Sequence, residues 1–260
     1  MSKYYNPHRT RNLYTPGDPN PFKLSRSKID LFIDCPRCFY IDRRLGTGRP
    51  PGFPFSLNNA VDSLLKTEFD RHRAAGTVHP LQTAYGVAAR PVDHDELDVW
   101  RQNFKGVRTL HQPTNLLITG AIDDLWIDEA DRYVVVDYKA TAKAEPVTAL
   151  DQPWQGSYKR QMEVYQWLLR RNGLPVSHTG YFVYCTGRTD AEAFNARLEF
   201  DIHLISYHGD DSCVEVALAD IHACLNGNEM PRAGPECDYC AYVDAVNSIS
   251  CVSSSRNAGS

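Results

Sequence analysis

Two cysteine pairs with the same spacing constrain the fold of this chain more than any other feature. Cys35 and Cys38 form the first Cys-x2-Cys pair, and Cys237 and Cys240 form the second, about 200 residues further on. Each pair can present two thiolates to one ion, so the two pairs together offer four sulfur ligands. A metal centre that closes so long a loop removes much conformational freedom from the unfolded chain. We therefore predict that segments near both ends of the chain fold together around a cysteine-bound metal centre.

The residues alone leave the identity of this metal open. A structural Zn2+ ion and a [4Fe–4S] cluster both accept four thiolates. Residues 1–23 lack the apolar stretch of a secretory signal, which predicts a cytoplasmic protein whose thiols stay reduced. In that compartment, paired cysteines indicate metal binding rather than disulfides.

The composition excludes several classes of protein. The chain has 260 residues, of which 42% are hydrophobic and 23% charged, so it can bury a core and is not disordered as a whole. Its formal net charge of -4 provides no general cationic field for nucleic acid, which must then be held by a local basic patch or by metal ions. The apolar runs are far shorter than the roughly 20 residues of a membrane helix, so we expect no membrane partner.

The hydrophobic pattern predicts an α/β fold with a mixed central sheet flanked by helices. We expect an extended arm at 1–24, a single domain at 25–246 and a disordered tail at 247–260. The pattern between 81 and 111 is weak and indicates only a short helix near 93–104. The first predicted helix runs from Ser25 to before Gly46, and three further helices cover 56–73, 154–171 and 212–225. The predicted strands are 116–127, 133–139, 180–185 and 197–205.

An acidic hairpin carries the clearest chemical signal. Asp123 and Asp137 lie near the ends of two strands joined by a short turn, so both carboxylates can reach one edge of the sheet. Two like charges in a low-dielectric cleft are usually tolerated only when a cation lies between them or one is protonated. Oxygen ligands of this kind suit Mg2+ or Mn2+. Lys139 follows Asp137 by two residues and shares its face of the strand, next to such an ion. Strand ends also carry solvated Asp and Lys, but the apolar run 134–136 before Asp137 favours a covered position.

Three segments of the chain resemble the signature of a known nuclease family. They are Gly120-Ala121-Ile122-Asp123, Val135-Val136-Asp137-Tyr138-Lys139 and Gln161-Met162-Glu163-Val164-Tyr165. Together they resemble the PD-(D/E)xK nuclease superfamily, specifically its RecB-type branch, which includes the AddAB and RecBCD nuclease domains and CRISPR-associated adaptation nucleases. The resemblance covers roughly residues 25–245. It implies a restriction-endonuclease-like fold and a metal-dependent phosphodiesterase.

The resemblance also implies a role for each residue of the signature. Asp123 and Asp137 would be metal ligands, the carbonyl of Tyr138 would be a further ligand, and Lys139 would lie beside the attacking water.

Three more residues have roles implied by position in the signature. Gln161 and Tyr165, one helical turn apart, would position the DNA strand or the active-site lysine. Many members of the branch place a histidine ligand on an early helix, where this chain has Asp62. Asp62 is therefore either a third carboxylate ligand or a solvated helix residue, and both interpretations stay open.

For the cysteines, the resemblance favours a [4Fe–4S] cluster over zinc. Iron–sulfur members of the branch place one cysteine before the nuclease core and three after it. Cys35 matches the leading cysteine and the second pair matches two trailing ones, but Val246 stands at the third trailing position. Either Cys38 or Cys251 must then supply the fourth thiolate. We favour Cys38, because Cys251 lies in a Ser-rich tail.

These inferences predict a Mg2+- or Mn2+-dependent DNA nuclease that hydrolyses phosphodiester bonds, as an exonuclease or end-processing enzyme on single-stranded DNA or DNA ends. A helicase or a CRISPR or DNA-repair protein is a further candidate partner. The alternative is a catalytically silent DNA- or helicase-binding module of the same fold with a structural zinc site. A basic cluster near the first cysteine pair either holds phosphates or is an ordinary solvated helix face; it consists of Lys23, Arg26, Lys28, Arg37, Arg43, Arg44 and Arg49.

Overall fold

A computed structural model describes the backbone of residues 5–52 and 56–257, with side chains up to residue 249. The elements in chain order are β1 (Phe22–Ser25), α1 (Arg26–Asp34), α2 (Pro36–Arg43), α3 (Ser56–Ala75), α4 (Pro80–Ala84), β2 (Ala89–Pro91), α5 (Leu97–Trp100), β3 (Val107–His111), β4 (Leu116–Gly120), β5 (Asp124–Asp128), β6 (Tyr133–Ala142), α6 (Gly156–Arg171), β7 (Thr179–Gly187), β8 (Phe200–His208), α7 (Ser212–Asn226) and α8 (Asp238–Asn257).

The chain divides into two compact units, each built from separate stretches of sequence. Unit 1 contains residues up to 52, 112–116 and those from 215 onward; unit 2 contains 53–111 and 117–214. Both units take residues from the range 25–246, for which the sequence predicts a single domain, and those domain boundaries stay a prediction.

In unit 1, a proline divides the first predicted helix in two. The sequence pattern predicts one helix from Ser25 to before Gly46, but α1 ends at Asp34 and α2 begins at Pro36. Between them Cys35 is extended, with φ -158° and ψ 97°. Proline has no N–H to continue the helical ladder, and its ring disfavours the helical conformation of the residue before it. The same break places Cys35 at the N-cap of α2, where its sulfur accepts a hydrogen bond from Cys38 N.

A buried carboxylate fastens the residues before α1 to α2 within unit 1. Asp42 is almost fully buried and lies 2.8 Å from Arg9 Nη1, 2.8 Å from Lys28 Nζ and 2.9 Å from Arg43 Nε. Its burial raises the pKa, but these neighbouring cations outweigh that effect and hold the pKa of Asp42 well below its usual range. Lys28 and Arg43 belong to the predicted basic cluster, so that cluster includes residues that serve an internal ion-pair network.

The main sheet of unit 2 has five strands in the order β2-β5-β6-β7-β8. β6 and β7 are parallel, whereas β5–β6 and β7–β8 are antiparallel. The predicted hairpin of β5 and β6 is therefore confirmed, and the sheet is mixed as the sequence predicts.

Helices of unit 2 cover both faces of this sheet. From α3, the buried Phe69 ring lies 5.5 Å from the ring of Trp126 and 5.7 Å from that of Tyr138. Side chains alternate along a strand, so Asp137 faces the other side, where it meets Gln161 of α6. With helices on both faces and the four cysteines clustered in unit 1, the predicted fold class is confirmed.

The predicted long strand at 116–127 is wrong, because the chain leaves one sheet and enters another. β4 ends at Gly120 and pairs with β3, while β5 starts at Asp124 in the main sheet. The three residues between them change the direction of the chain. This break puts Asp123 immediately before β5.

Several smaller elements also differ from the sequence pattern. The weak region at 81–111 contains α4, β2, α5 and β3, and α5 is shorter than the predicted helix at 93–104. α8 runs to Asn257, and the disorder predicted for 247–260 stays a prediction. Among the described residues, none of the helices combines the length and apolar character needed to cross a membrane.

Candidate active site and four-cysteine cluster

The hairpin register brings the two predicted metal-binding aspartates together. Asp124 is paired with Val136 across β5 and β6, so Asp123 lies beside Asp137. Asp123 Oδ2 accepts a hydrogen bond of 2.9 Å from Tyr138 N, which fixes its carboxylate against β6. Asp137 is fully buried. Burial and the nearby charge of Asp123 raise the pKa of Asp137 to about 7, although the Lys139 ammonium opposes this shift.

Lys139 and Asp137 share a face of β6, as predicted from their spacing. The Lys139 Nζ forms an ion pair with Asp137 Oδ2 and donates a 3.2 Å hydrogen bond to Gln161 Oε1. The same ammonium lies 4.6 Å from the centre of the Tyr158 ring. This position over an aromatic face holds the cation by a cation–π interaction.

Gln161 connects the acid, the lysine and a tyrosine. Its Nε2 donates to Asp137 Oδ1 at 2.8 Å and to the Tyr165 hydroxyl at 2.9 Å. Both Gln161 and Tyr165 are buried, one turn apart on α6. The ring of Tyr165 packs directly on β4: a Cβ added at Gly120 would lie only 2.8 Å from Tyr165 Cε1.

Helix α3 contributes a third carboxylate and a lysine. Lys66 Nζ lies 2.8 Å from Asp62 Oδ2 and 3.6 Å from Asp123 Oδ1, so it bridges the two acids. Burial, followed by the charge of Asp123, raises the pKa of Asp62 although Lys66 lowers it. Asp62 therefore lies at the site and is not merely a solvated helix residue; its role as a ligand stays a prediction. Sequence reasoning missed Lys66, although its spacing of four residues from Asp62 could have indicated the pair.

A second ionic network holds the backbone of Asp123, and sequence reasoning missed this network as well. Arg101 Nε donates to the Asp123 carbonyl oxygen at 3.0 Å, while its other nitrogens bind Asp70 at 2.9 Å and Asp124 at 2.7 Å. Asp124 is fully buried and also accepts a 2.8 Å hydrogen bond from the Tyr138 hydroxyl. The adjacent acids at the start of β5 thus divide their tasks: Asp124 fixes the backbone, and Asp123 faces the cleft.

Several of these groups line one cleft of about 270 Å³, while the fully buried Asp137 lies outside its lining. Its wall includes Asp62, Lys66, Asp123, Lys139 and Tyr158, together with Asn58, Asn103 and Arg101. A larger cleft of about 630 Å³ lies elsewhere in unit 2, beside β2, and its lining includes none of the predicted site residues. The chemistry-bearing side chains therefore define the candidate site better than cleft size does.

Comparison with known proteins decides the family. The family model described as the PD-(D/E)XK nuclease superfamily matches residues 56–245. The chain belongs to the PD-(D/E)XK nuclease superfamily. The predicted superfamily is thus confirmed, whereas the RecB-type branch stays a prediction. A solved structure titled "Crystal structure of SSO0001" is similar to this chain at 14% identity and a TM-score of 0.35, covering 84% of this chain and 82% of that one. No curated protein matches.

Superfamily membership supports a nuclease-type function, and members typically use divalent metals. The oxygen donors of the cleft fit such an ion. Asp137 Oδ2 is buried and accepts no well-directed hydrogen bond from the described residues, although Lys139 Nζ lies within ion-pair distance. A buried carboxylate oxygen that lacks a well-directed hydrogen bond can still bind a metal ion. Asp62 and Asp123 add carboxylates, and an all-oxygen set suits Mg2+ or Mn2+.

The four cysteines of unit 1 cluster as the sequence predicts. All four are buried, and their sulfur atoms lie within 4.8 Å of one another. Cys38 occupies the fourth position, while the side chain of Cys251, the other candidate, lies outside the described residues. The cluster joins the segment before α2 to the start of α8. It could hold a metal ion.

Neighbouring groups donate hydrogen bonds to two of the four sulfurs, those of Cys35 and Cys237. Cys35 Sγ accepts hydrogen bonds from Gly234 N at 3.2 Å and Cys38 N at 3.4 Å. Burial raises the pKa of Cys35, but these backbone donors outweigh it and lower the pKa to about 6. Arg49 Nη2 donates to Cys237 Sγ at 3.2 Å.

Proposed function

We propose that this protein is a Mg2+- or Mn2+-dependent deoxyribonuclease that hydrolyses phosphodiester bonds, acting as an exonuclease or end-processing enzyme on single-stranded DNA. The observation that carries the proposal is the meeting of Asp123, the buried Asp137 and Lys139 where β5 and β6 pair, with Asp123 and Lys139 lining the cleft. Superfamily membership supports the nuclease class.

Three carboxylates would hold the divalent ion. They are Asp123 and Asp137 of the hairpin and Asp62 of α3, with the Tyr138 carbonyl as a further proposed ligand. When bound, the ion supplies positive charge for the scissile phosphate and lowers the pKa of water.

Lys139 is the proposed acid–base group of the chain. Its ammonium can orient an attacking water and hold or release a proton at Nζ, next to the carboxylate of Asp137. Gln161 restricts both groups, because its amide oxygen accepts from Lys139 and its amide nitrogen donates to Asp137. Tyr158 covers the ammonium and limits its hydration. The side chains are thus held in place before substrate arrives, which is the main requirement for catalysis by positioning.

The surroundings of the cleft support a single-stranded substrate. A volume of about 270 Å³ has room for a nucleotide rather than for a duplex. Trp154 is half exposed, and its ring lies 5.7 Å from that of Tyr158 and 5.3 Å from Lys143 Nζ. Exposed aromatic rings next to cations are the usual means of holding unpaired bases. A helicase or a CRISPR or repair protein stays a candidate partner.

The test is Mn2+-dependent digestion of end-labelled single- and double-stranded DNA. We expect the wild type to digest single strands or ends, and Asp137→Asn and Lys139→Ala to lose about 100-fold or more in rate. Asp131→Asn is the matched control, because Asp131 lies in the exposed turn of the same hairpin with φ 55°, a conformation that asparagine tolerates.

Two outcomes would contradict the proposal. One is wild-type digestion by the Asp137→Asn variant. The other is DNA binding without cleavage by the wild type under any divalent ion, which would instead support the catalytically silent binding module.

A further inference from the structure

We propose that the four-cysteine cluster holds a single zinc ion in a tetrahedral site, and that the cluster is too narrow for the [4Fe–4S] cofactor that the sequence resemblance favours. The argument rests on the separation of the sulfur atoms and is independent of the proposed nuclease activity.

The measured distances match one central ion. Cys38 Sγ lies 3.6 Å from Cys237 Sγ and 3.6 Å from Cys240 Sγ, and Cys35 Sγ lies 3.7 Å from Cys240 Sγ. With metal–sulfur bonds of about 2.3 Å, a regular tetrahedron of sulfurs has edges of about 3.8 Å. Three of the six sulfur–sulfur separations therefore match the edges that one zinc ion requires, and the other three are no longer than 4.8 Å.

An iron–sulfur cubane needs a wider arrangement. In such a cluster each cysteine binds a different iron atom at a corner of the cube, so the cube itself separates the four thiolates. Adding bonds of about 2.3 Å outward from the corners places neighbouring sulfurs roughly 6 Å apart. All four sulfurs in this protein lie within 4.8 Å of one another. The cysteines would have to move outward together to admit a cubane.

The surrounding backbone opposes such a movement. Cys35 Sγ is held by the N–H groups of Gly234 and Cys38. Gly234 itself packs so closely that an added Cβ would lie 2.0 Å from Asp34 O. The backbones of Asp34 and Gly234 are in such close contact that only glycine can occupy position 234 without a backbone shift. Moving Cys35 outward would break both hydrogen bonds.

Arg49 completes the site by compensating charge. Four thiolates around one Zn2+ carry a net charge of -2, and the Arg49 guanidinium donates directly to Cys237 Sγ while stacking 4.8 Å from the Tyr239 ring centre. A cation next to a ligand sulfur stabilises the thiolate form and orients it. We assign Arg49 as a positioning residue of the zinc site.

The decisive measurement is the metal content of the full-length protein. It is to be expressed and purified without oxygen from medium supplied with both iron and zinc, followed by elemental analysis, a sulfide assay and a visible spectrum. We expect one zinc per chain, no inorganic sulfide and no brown colour. Iron with equimolar sulfide would overturn the proposal, and so would a protein that binds neither metal, even after reconstitution with Zn2+.

Cobalt substitution and variants test the geometry of the site. Co2+ in place of zinc should give the intense visible bands of tetrahedral thiolate coordination, and their absence would contradict the proposal. We expect Cys38→His to keep one zinc, since histidine serves a tetrahedral site well, and Arg49→Gln to lower zinc affinity about 10- to 100-fold. Cys213→Ser is the control that should keep full zinc content, because Cys213 is exposed and lies outside the cluster.

Discussion

Replacing Gly120 with alanine tests whether packing against β4 positions the candidate active site. Gly120 does not have a positive φ, so alanine causes no backbone strain and its effect comes from contacts alone. The added Cβ would lie 2.8 Å from Tyr165 Cε1 and 3.0 Å from Leu168 Cδ1. Carbon atoms pack at about 3.5–4.0 Å, so α6 or the Tyr165 ring has to move by roughly 0.7 Å.

The displacement should reach the acid through two hydrogen bonds. Tyr165 accepts a 2.9 Å bond from Gln161, and Gln161 donates a 2.8 Å bond to Asp137. Overpacking in a buried site costs about 1–3 kcal/mol of the free energy of unfolding. A shift of this size near reacting groups lowers a rate by up to about 100-fold. We therefore expect Gly120→Ala to lose about 1–3 kcal/mol and about 10- to 100-fold in the rate of single-strand digestion.

Urea unfolding measured by tryptophan fluorescence is the stability assay, because all four tryptophans lie in unit 2 together with Gly120. The control is Gly156→Ala at the start of α6, where φ is -54° and the nearest atom to an added Cβ is Arg160 Nη1 at 3.6 Å. This control should gain up to about 1 kcal/mol and keep its activity. If Gly120→Ala is as stable and active as the wild type, the packing argument is wrong. If only its stability falls, Gly120 does not position Asp137.

Three further predictions concern Asp42, Tyr165 and the four-cysteine cluster. Asp42→Asn leaves the buried Arg43 without its charged partner and should cost about 3–5 kcal/mol by circular dichroism, whereas Asp190→Asn in an exposed ion pair should change nothing measurable. Because the pKa of Asp42 is lowered well below its unfolded value, its contribution is nearly complete above about pH 4 and declines as the pH falls from there towards the lower folded-state pKa; a stability difference between wild type and Asp42→Asn that is as large at pH 2 as at pH 7 would refute this. Tyr165→Phe removes the acceptor of the Gln161 amide and should cost about 0.5–1.5 kcal/mol with a fall in kcat rather than a rise in KM; an unchanged kcat would exclude a positioning role. Stripping metal from the four-cysteine cluster should lower the melting temperature of the holoprotein, and equal melting of both forms would show that the centre does not stabilise unit 1.

Local sequence patterns predicted the elements that carry the candidate site. The hairpin has an unbroken apolar run and a polar turn, so its pairing depends on residues close in sequence, and the predicted antiparallel pairing is confirmed. The errors arose where one residue interrupted a continuous pattern. Pro36 divides a helix that hydrophobic spacing alone would continue, and between Gly120 and Asp124 the chain leaves one sheet for another over only three residues, too few to show as a loop in the pattern.

The ionic partners of the site could not be predicted in the same way. Lys66 meets Asp123 from more than 50 residues away in sequence, and Arg101 lies in the region where the pattern was weak. Long-range ion pairs leave no spacing signal, because either partner alone looks like a solvated surface charge. The single exception is Lys66 with Asp62, whose helical spacing is local.

The charges of the cleft explain how an acidic protein can take an anionic substrate. Three acids, Asp62, Asp123 and Asp137, are neutralised in part by Lys66 and Lys139, which bind them directly. A bound dication would satisfy the same carboxylates and release both ammonium groups towards a phosphate. On the proposed function, the site then changes from one that neutralises itself to one that attracts DNA, although the chain as a whole has a net charge of -4. Affinity for single-stranded DNA should therefore rise when Mn2+ or Ca2+ is added, and Lys66→Ala should weaken the ion-dependent part of binding. Binding that is equally strong with and without the ion would refute this coupling.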